Sequence, residues 1–361
     1  METLFATPIK TAVYILLAVG VFSVLILIHE FGHYLTARLC GVTVHEFALG
    51  MGPQIFSCVS KKSGIRYSIR LFLIGGYVSM DGEDGDSENP NAFCNKNVWQ
   101  RILIIVAGAG MNILLGFIAM FILTTSTVAG TDGALLPTTV IAEFNQGATS
   151  NMQGENGLMV GDRVMTVGGF PVFTGYDLVY EITNSGYEPI DMGVVRDGKF
   201  VKLTGVQFPT TEEKGVIFGS YDFKVYGKAP NIFNLCLYSL NRATSTIKMV
   251  YDSLFDLLTG RYGVDAVSGP VGTTEVIGQA AQKGGNTLLY LIAVITINLG
   301  VFNLLPVPAL DGGRLLFLII ELIRGKPINR DLEGYVHFIG IIILFGLMAL
   351  ISIKDIIGLF S

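Results

Sequence analysis

Residues 11–28, 102–130, 287–310 and 334–353 contain no Asp, Glu, Lys or Arg. At 1.5 Å per helical residue, each stretch approaches or exceeds the ~20 residues that cross a ~30 Å hydrocarbon layer. The pattern predicts a polytopic α-helical membrane protein with four transmembrane helices, the lipid bilayer being its first partner. A chain that is 51% hydrophobic and only 15% charged leaves little room for a simple water-soluble enzyme. Lys10 before the first stretch imitates a secretory signal, but the apolar run is too long and no small-residue cleavage pattern follows, so the segment is expected to be retained. The 24 Lys and Arg against 29 Asp and Glu form no basic stripe, which argues against nucleic acid as a partner. Cys40, Cys58, Cys94 and Cys236 show no C-x-x-C spacing and read as incidental thiols.

Basic residues near the span ends set orientation. Arg38, Lys61, Lys62, Arg66, Arg70, Lys96 and Arg101 lie around the first connection, and Arg314, Arg324, Lys326 and Arg330 around the third; the termini offer Lys10 and Lys354. Both termini are therefore expected outside and the first and third connections in the cytosol. In the first connection, Ile65 to Leu73 reads as a strand, with a bend at Gly75-Gly76 before Tyr77-Val78. The long second connection has the composition of a soluble domain. Short β-type runs at 163–167, 190–196 and 200–206, with a helix near 176–183, suggest a βαβ-containing module over about 140–208. Residues 231–258 then carry apolar side chains at helical spacing, expected to lie on the outer membrane face or on that module.

The chemistry concentrates in two motifs. His29-Glu30-Phe31-Gly32-His33 matches H-E-x-x-H, which places two imidazoles on one helix face with a carboxylate beside them to act as general base. Ionisable residues inside a membrane span are costly and usually functional. A catalytic zinc needs a third protein ligand, and Asp311 is the one carboxylate between Thr287 and Ile320. It follows Asn303-Leu304-Leu305-Pro306-Val307-Pro308-Ala309-Leu310, where two prolines interrupt the helix. A polar knot between packed helices, or the proton path of a transporter, are the competing readings. His45 and His337 read as exposed or packing histidines, Asn112 as either a helix-to-helix contact or a site contact, and Arg38 and Arg314 as interfacial anchors.

With these motifs, the chain resembles the site-2 protease family of intramembrane zinc proteases, in the bacterial branch that processes membrane-bound anti-sigma factors. Supporting segments are Phe47 to Pro53, Gly75-Gly76-Tyr77-Val78, Val98-Trp99-Gln100-Arg101 leading to Ala107-Gly108, Asn112, and Ser268-Gly269-Pro270-Val271-Gly272. Gly157-Leu158 and Gly161-Asp162-Arg163-Val164 look like the carboxylate-binding loop and following strand of a PDZ domain. Many relatives have Pro where this chain has Ala109, and relatives with an outer membrane carry two PDZ domains where this chain has room for one.

The resemblance implies His29, His33 and Asp311 as Zn2+ ligands and Glu30 as the catalytic base. Substrate would be bound by Asn303 and by the Gly75, Gly76 and Tyr77 loop, which receives it as an added strand. It implies a zinc-dependent endopeptidase of the cell membrane that cleaves transmembrane segments of single-span proteins, anti-sigma factors or remnant signal peptides, with its active site toward the cytosol. The fold implied is four transmembrane helices with a cytosolic membrane-associated β-loop and one extracytoplasmic PDZ-like α+β domain. The expected divisions are 1–40 (first span, H-E-x-x-H), 41–97 (β-loop region), 98–130 (second span), 131–225 (PDZ-like domain), 226–286 (amphipathic juxtamembrane segment), 287–333 (third span and cytosolic connection) and 334–361 (fourth span). A PDZ-bearing scaffold or an ion transporter are the alternatives; the first would leave Glu30 dispensable, and the second would spread polar residues through several spans.

Overall fold

The computed structural model describes residues 8–83, 85–130, 134–152, 154–213, 215–261 and 267–358. In chain order it has α1 (Pro8–Leu39), β1 (Val44–Val59), β2 (Arg66–Met80) and α2 (Val98–Ala129). There follow β3 (Leu136–Phe144), β4 (Arg163–Val167), β5 (Phe170–Pro171), α3 (Gly175–Ser185), β6 (Ile190–Arg196), β7 (Lys199–Val206), β8 (Thr210–Glu213), β9 (Val216–Gly219) and β10 (Phe223–Lys228). The chain closes with α4 (Ile232–Leu258), α5 (Pro270–Lys283), α6 (Gly285–Leu304), α7 (Asp311–Arg324) and α8 (Arg330–Gly358). Two compact units result, residues 1–119 with 264–361, and residues 120–263.

In the first unit, Ala12–Leu39, Val98–Ala129, Gly285–Leu304 and Asp331–Gly358 are long and apolar enough to span a bilayer, and α2 continues from here into the second unit. These match the four stretches read from sequence, with one correction: the third helix stops at Leu304, not at 310. Pro306 and Pro308 lack amide donors, so residues 305–310 turn irregularly before α7 begins at Asp311. The termini expected outside, 1–7 and 359–361, lie beyond the described residues.

Small residues let these helices meet, as is usual where lipid replaces water as solvent. A methyl built on Gly32 of α1 would lie 2.4 Å from the Ala107 carbonyl oxygen of α2, and one on Gly300 of α6 would lie 2.9 Å from that of Ala109. Arg101 of α2 and Glu321 of α7 form a two-pronged ion pair, both side chains mostly buried. The Ser268-Gly269-Pro270-Val271-Gly272 motif opens α5, and the amides of Gly269 and Gly272 donate to the Asp355 carboxylate of α8 at 2.8 and 2.9 Å.

Between α1 and α2, the strands β1 and β2 pair antiparallel, and the ladder doubles back on itself. Glu46 to Leu49 lies opposite Gly76 to Ser79 on one side and Arg66 to Ile69 on the other, while Gln54 to Val59 extends beyond Arg66 to Arg70. The bends need glycine: Gly50 and Gly75 have φ of +88° and +99°, and a side chain on Gly50 would strike the Phe72 carbonyl at 2.5 Å. Ser23 of α1 donates to the Leu73 carbonyl, fastening the sheet to the first helix. A cross-strand cluster of Glu46, Ser68, Arg70 and Tyr77 holds it internally. Burial acts to raise the Glu46 carboxyl, but the hydrogen bonds from Ser68, Arg70 and Tyr77 outweigh it and leave the group below its ordinary range.

The second unit contains a sheet of order β10-β3-β4-β6-β7, with β5 on β4 and a separate β8-β9 hairpin. Every pairing in it is antiparallel, so the strand–helix–strand stretch is not the parallel βαβ unit expected from sequence. The module is also wider than 140–208, because β3, β8, β9 and β10 add to it. Its core gathers Ile141, Val164, Leu178, Ile182, Met192 and Leu203. Thr174 and Asp177 form a reciprocal capping box at the start of α3.

Helix α4 lies against this module through its polar side. Ser245 donates to Asp177, Lys248 pairs with Glu181 at 2.8 Å, and Tyr180 donates to Asp252 at 2.8 Å. Phe233, Leu237, Leu240, Tyr251, Phe255 and Leu258 of the same helix are exposed.

Candidate metal centre

His29 and His33 are one helical turn apart on α1, and Asp311 stands in the first turn of α7. The Nε2 atoms of the two histidines are 3.1 Å apart, and Asp311 Oδ2 lies 3.0 Å from His29 Nε2 and 3.2 Å from His33 Nε2. These separations approach the ~3.3 Å edge of a tetrahedron with zinc–ligand bonds of 2.0–2.1 Å.

Protonation decides what the three atoms want. His33 Nδ1 donates to the Ile104 carbonyl oxygen of α2 at 2.8 Å, which in the neutral imidazole a metal requires leaves Nε2 as a bare lone pair. Asp311 Oδ2 is buried and has no hydrogen-bond partner. Lone pairs converging in a buried site repel unless a cation stands between them, so the donor set fits zinc. Asn112 of α2 is fully buried with its amide 3.3 Å from His29 Nδ1, while its Oδ1 lacks a partner. A half-turn of the amide, which exchanges two nearly indistinguishable atoms, lets Oδ1 accept the His29 Nδ1 proton and frees Nε2 for metal.

Gly108 of α2 is what lets the imidazoles sit there. A methyl on it would lie 2.3 Å from His33 Nε2 and 2.9 Å from His29 Cε1. Gly76 of β2 is similarly close to Glu30: its missing methyl would lie 3.2 Å from Glu30 Cγ. His29, Glu30, His33, Asp311, Tyr77 and Val78 line a cavity of about 170 Å³. Glu83 and Arg314 close one side as an ion pair and also border an adjoining cavity of about 410 Å³.

Sequence reasoning therefore meets the structure at His29, Glu30, His33, Asp311 and Tyr77, which share one cavity, with Gly76 against Glu30 and Gly75 at the preceding bend. Asn303 sits in the last turn of α6 and is not among the residues lining that cavity. Gly157, Leu158, Gly161 and Asp162 belong to the second unit. There the amides of Gly157, Leu158, Gly161 and Asp162 all donate within the module, and Arg196 grips the Asp162 carboxylate with two hydrogen bonds of 2.8 Å. Arg314, read as an interfacial anchor, is instead paired with Glu83. That pair was missed because the partners are 231 residues apart, although Arg314 is one turn from Asp311 on α7. The Ile104 carbonyl carries no side-chain signature at all.

Two histidines from one span closed by a carboxylate from another helix, with a glutamate in the same cavity, define a membrane-embedded zinc metallopeptidase. The comparison with known proteins places it further: residues 17–347 match peptidase family M50, and the chain belongs to that family, the site-2 proteases. A Clostridium acetobutylicum protein is 36% identical over 343 residues, covering 95% of this chain and 97% of the relative. The zinc metalloprotease RasP of Bacillus licheniformis is 32% identical, covering 94% and 98% of the two chains. The regulator of sigma-W protease RasP of Bacillus subtilis is 30% identical, covering 94% and 97%. The two Bacillus alignments run over 425 and 424 positions, more than the 361 residues here, so those relatives carry insertions that this chain lacks. The protein is thus a zinc-dependent metalloendopeptidase of the membrane.

Proposed function

We propose that this enzyme cleaves the transmembrane segments of single-span membrane proteins, anti-sigma factors or remnant signal peptides, in regulated intramembrane proteolysis, from a site opening to the cytosol. The observation that carries this reading is the position of the edge of β2. Gly76 to Met80 pairs with β1 on one side only, its other edge bears no strand among the described residues, and Tyr77, Val78 and Met80 face the cavity that holds Glu30.

A membrane helix hides its carbonyls in internal hydrogen bonds, so a substrate must unwind before any bond can be attacked. An unwound segment laid along β2 regains backbone partners at the moment it loses its own. That pairing also places its peptide bonds over the cavity. Glu30, pressed between Gly76 and the ligand histidines, takes the proton from the attacking water and returns it to the departing amine. Bound to His29, His33 and Asp311, zinc supplies Lewis acidity for activating water and for stabilising developing negative charge. Asn303, at the broken end of α6, holds the substrate backbone on the far side.

The second-unit module, read as PDZ-like, acts here as a steric filter admitting only shortened ectodomains, because the loop amides that would cradle a C-terminal carboxylate already donate internally. The lysine and arginine distribution supports termini and module outside, with 41–97 and 305–333 in the cytosol. The name of the Bacillus subtilis relative, regulator of sigma-W protease, supports a substrate that controls a sigma factor. Scaffold and transporter readings are disfavoured by polar groups that converge on one cavity.

The decisive test is the full-length protein in liposomes with a single-span reporter. Glu30→Gln should keep zinc and lose at least about 10²-fold in cleavage rate; undiminished cleavage by this variant refutes the assignment.

A further inference from the structure

The turn that delivers Asp311 is held in an unusual backbone conformation by a residue of the fourth span. Ala309 has φ of +78°, a left-handed conformation that residues other than Gly, Asn and Asp seldom adopt. Its amide hydrogen is directed not at a carbonyl but at His337 Nδ1 of α8, 3.1 Å away. One turn further along α8, Gly340 makes room for the preceding residue: a methyl there would lie 2.4 Å from Pro308 Cβ. On the opposite side, a methyl on Gly313 would lie 2.7 Å from the Val307 carbonyl oxygen and 3.1 Å from His337 Cε1. The turn is therefore wedged between the His337/Gly340 face of α8 and the start of α7. Leu310, the N-cap of α7, makes no side-chain cap, so the helix start is held locally only by backbone hydrogen bonds such as Leu310 N–H to the Val307 oxygen and Gly313 N–H to the Leu310 oxygen.

We propose that His337 is a positioning residue of the metal centre: by accepting the Ala309 amide hydrogen it holds the left-handed turn that aims Asp311 at zinc, so α8 sets metal affinity without touching the metal. The proposal rests on Asp311 being a ligand. The argument is geometric. Asp311 follows Ala309 by two residues, and relaxation of Ala309 to an ordinary negative φ swings the peptide chain at the ligand's own helix start. An acceptor is required at the Nδ1 position, since the Ala309 amide has no other partner there. A side chain of the same bulk without a lone pair leaves the amide buried and unsatisfied and the turn unheld.

The test is zinc affinity of the full-length, detergent-solubilised apoprotein, measured by competition with a chromophoric chelator, with no protease assay involved. His337→Leu is expected to weaken zinc binding about tenfold or more, in the range of outer-shell ligand mutations. His337→Asn, whose Oδ1 can accept the same hydrogen, is expected to stay within about threefold of wild type. Ala309→Gly alone should change little. Combined with His337→Leu, it should recover most of the loss, because glycine adopts the left-handed turn without being held. Wild-type affinity in His337→Leu, or an equal deficit whether position 309 carries Ala or the Gly substitution, overturns the proposal; the latter would mark His337 as packing alone. If His337→Leu fails to insert or fold, His337→Asn and the double variant still decide the matter, since a weak-binding His337→Asn contradicts the acceptor role. Asp311→Asn separates the two layers: unchanged zinc affinity in that variant defeats the underlying ligand assignment.

Discussion

Gly108→Ala should abolish the metal site while leaving the helix that carries it intact. The added methyl would lie 2.3 Å from His33 Nε2, 2.7 Å from its Cε1 and 2.9 Å from His29 Cε1. An ordinary carbon–nitrogen contact is about 3.4 Å, so the imidazole must retreat by roughly 1 Å or the two helices must part. Neither movement is easy. His33 is fixed from behind by its 2.8 Å bond to Ile104, and α1 meets α2 at Gly32, where a built methyl lies 2.4 Å from the Ala107 oxygen. Zinc sites tolerate about ±0.2 Å in ligand distance, a fifth of the displacement required. Loss of zinc affinity should therefore exceed the 10- to 100-fold typical of outer-shell changes, with cleavage lost in parallel. Gly110→Ala is the matched control: it lies on the same helix, has nothing within 4 Å of the added methyl, and removes a poor helix former. Zinc competition and thermal melting of both variants in one detergent decide it. Near-native zinc affinity in Gly108→Ala would refute the close packing of α2 against the ligand histidines.

Two further outcomes follow from the same contacts. Asn112→Leu removes the acceptor for His29 Nδ1 and should weaken zinc binding by about 10- to 100-fold with little change in melting temperature, read by chelator competition. Arg101→Met strands the Glu321 carboxylate, only 13% exposed, and should cost about 3–5 kcal/mol in unfolding free energy. Adding Glu321→Leu should return most of that, and thermal or denaturant unfolding in detergent checks both.

The spans and the candidate ligands were legible in the sequence for one physical reason: in a membrane, every charge is an exception. Absence of charge marked where the four helices lie, although α1 runs on to Leu39, well past its uncharged stretch, and the ionisable groups that line the cavity include those read as catalytic. Strands at 163–167 and 190–196 were equally legible, because glycine turns bound them. What escaped was whatever depends on backbone atoms or on partners distant in sequence. The third helix ends six residues early because a proline acts on hydrogen bonds upstream of itself, which an apolarity count does not register. β3 and β10 pair across 79 to 92 residues, so neither announces the other. Arg314 looked like an interfacial anchor because only the fold brings Glu83 to it. Gly108 and Asn112 were visible as motif members, but their functions are a missing methyl and an amide facing an imidazole, which appear only once α1 and α2 are packed. The same division explains α4. Its apolar spacing was clear from sequence, yet periodicity cannot say which face is covered. Ser245, Lys248 and Asp252 of α4 find partners in Asp177, Glu181 and Tyr180 of α3, while Phe233, Leu237, Leu240, Tyr251, Phe255 and Leu258 stay exposed.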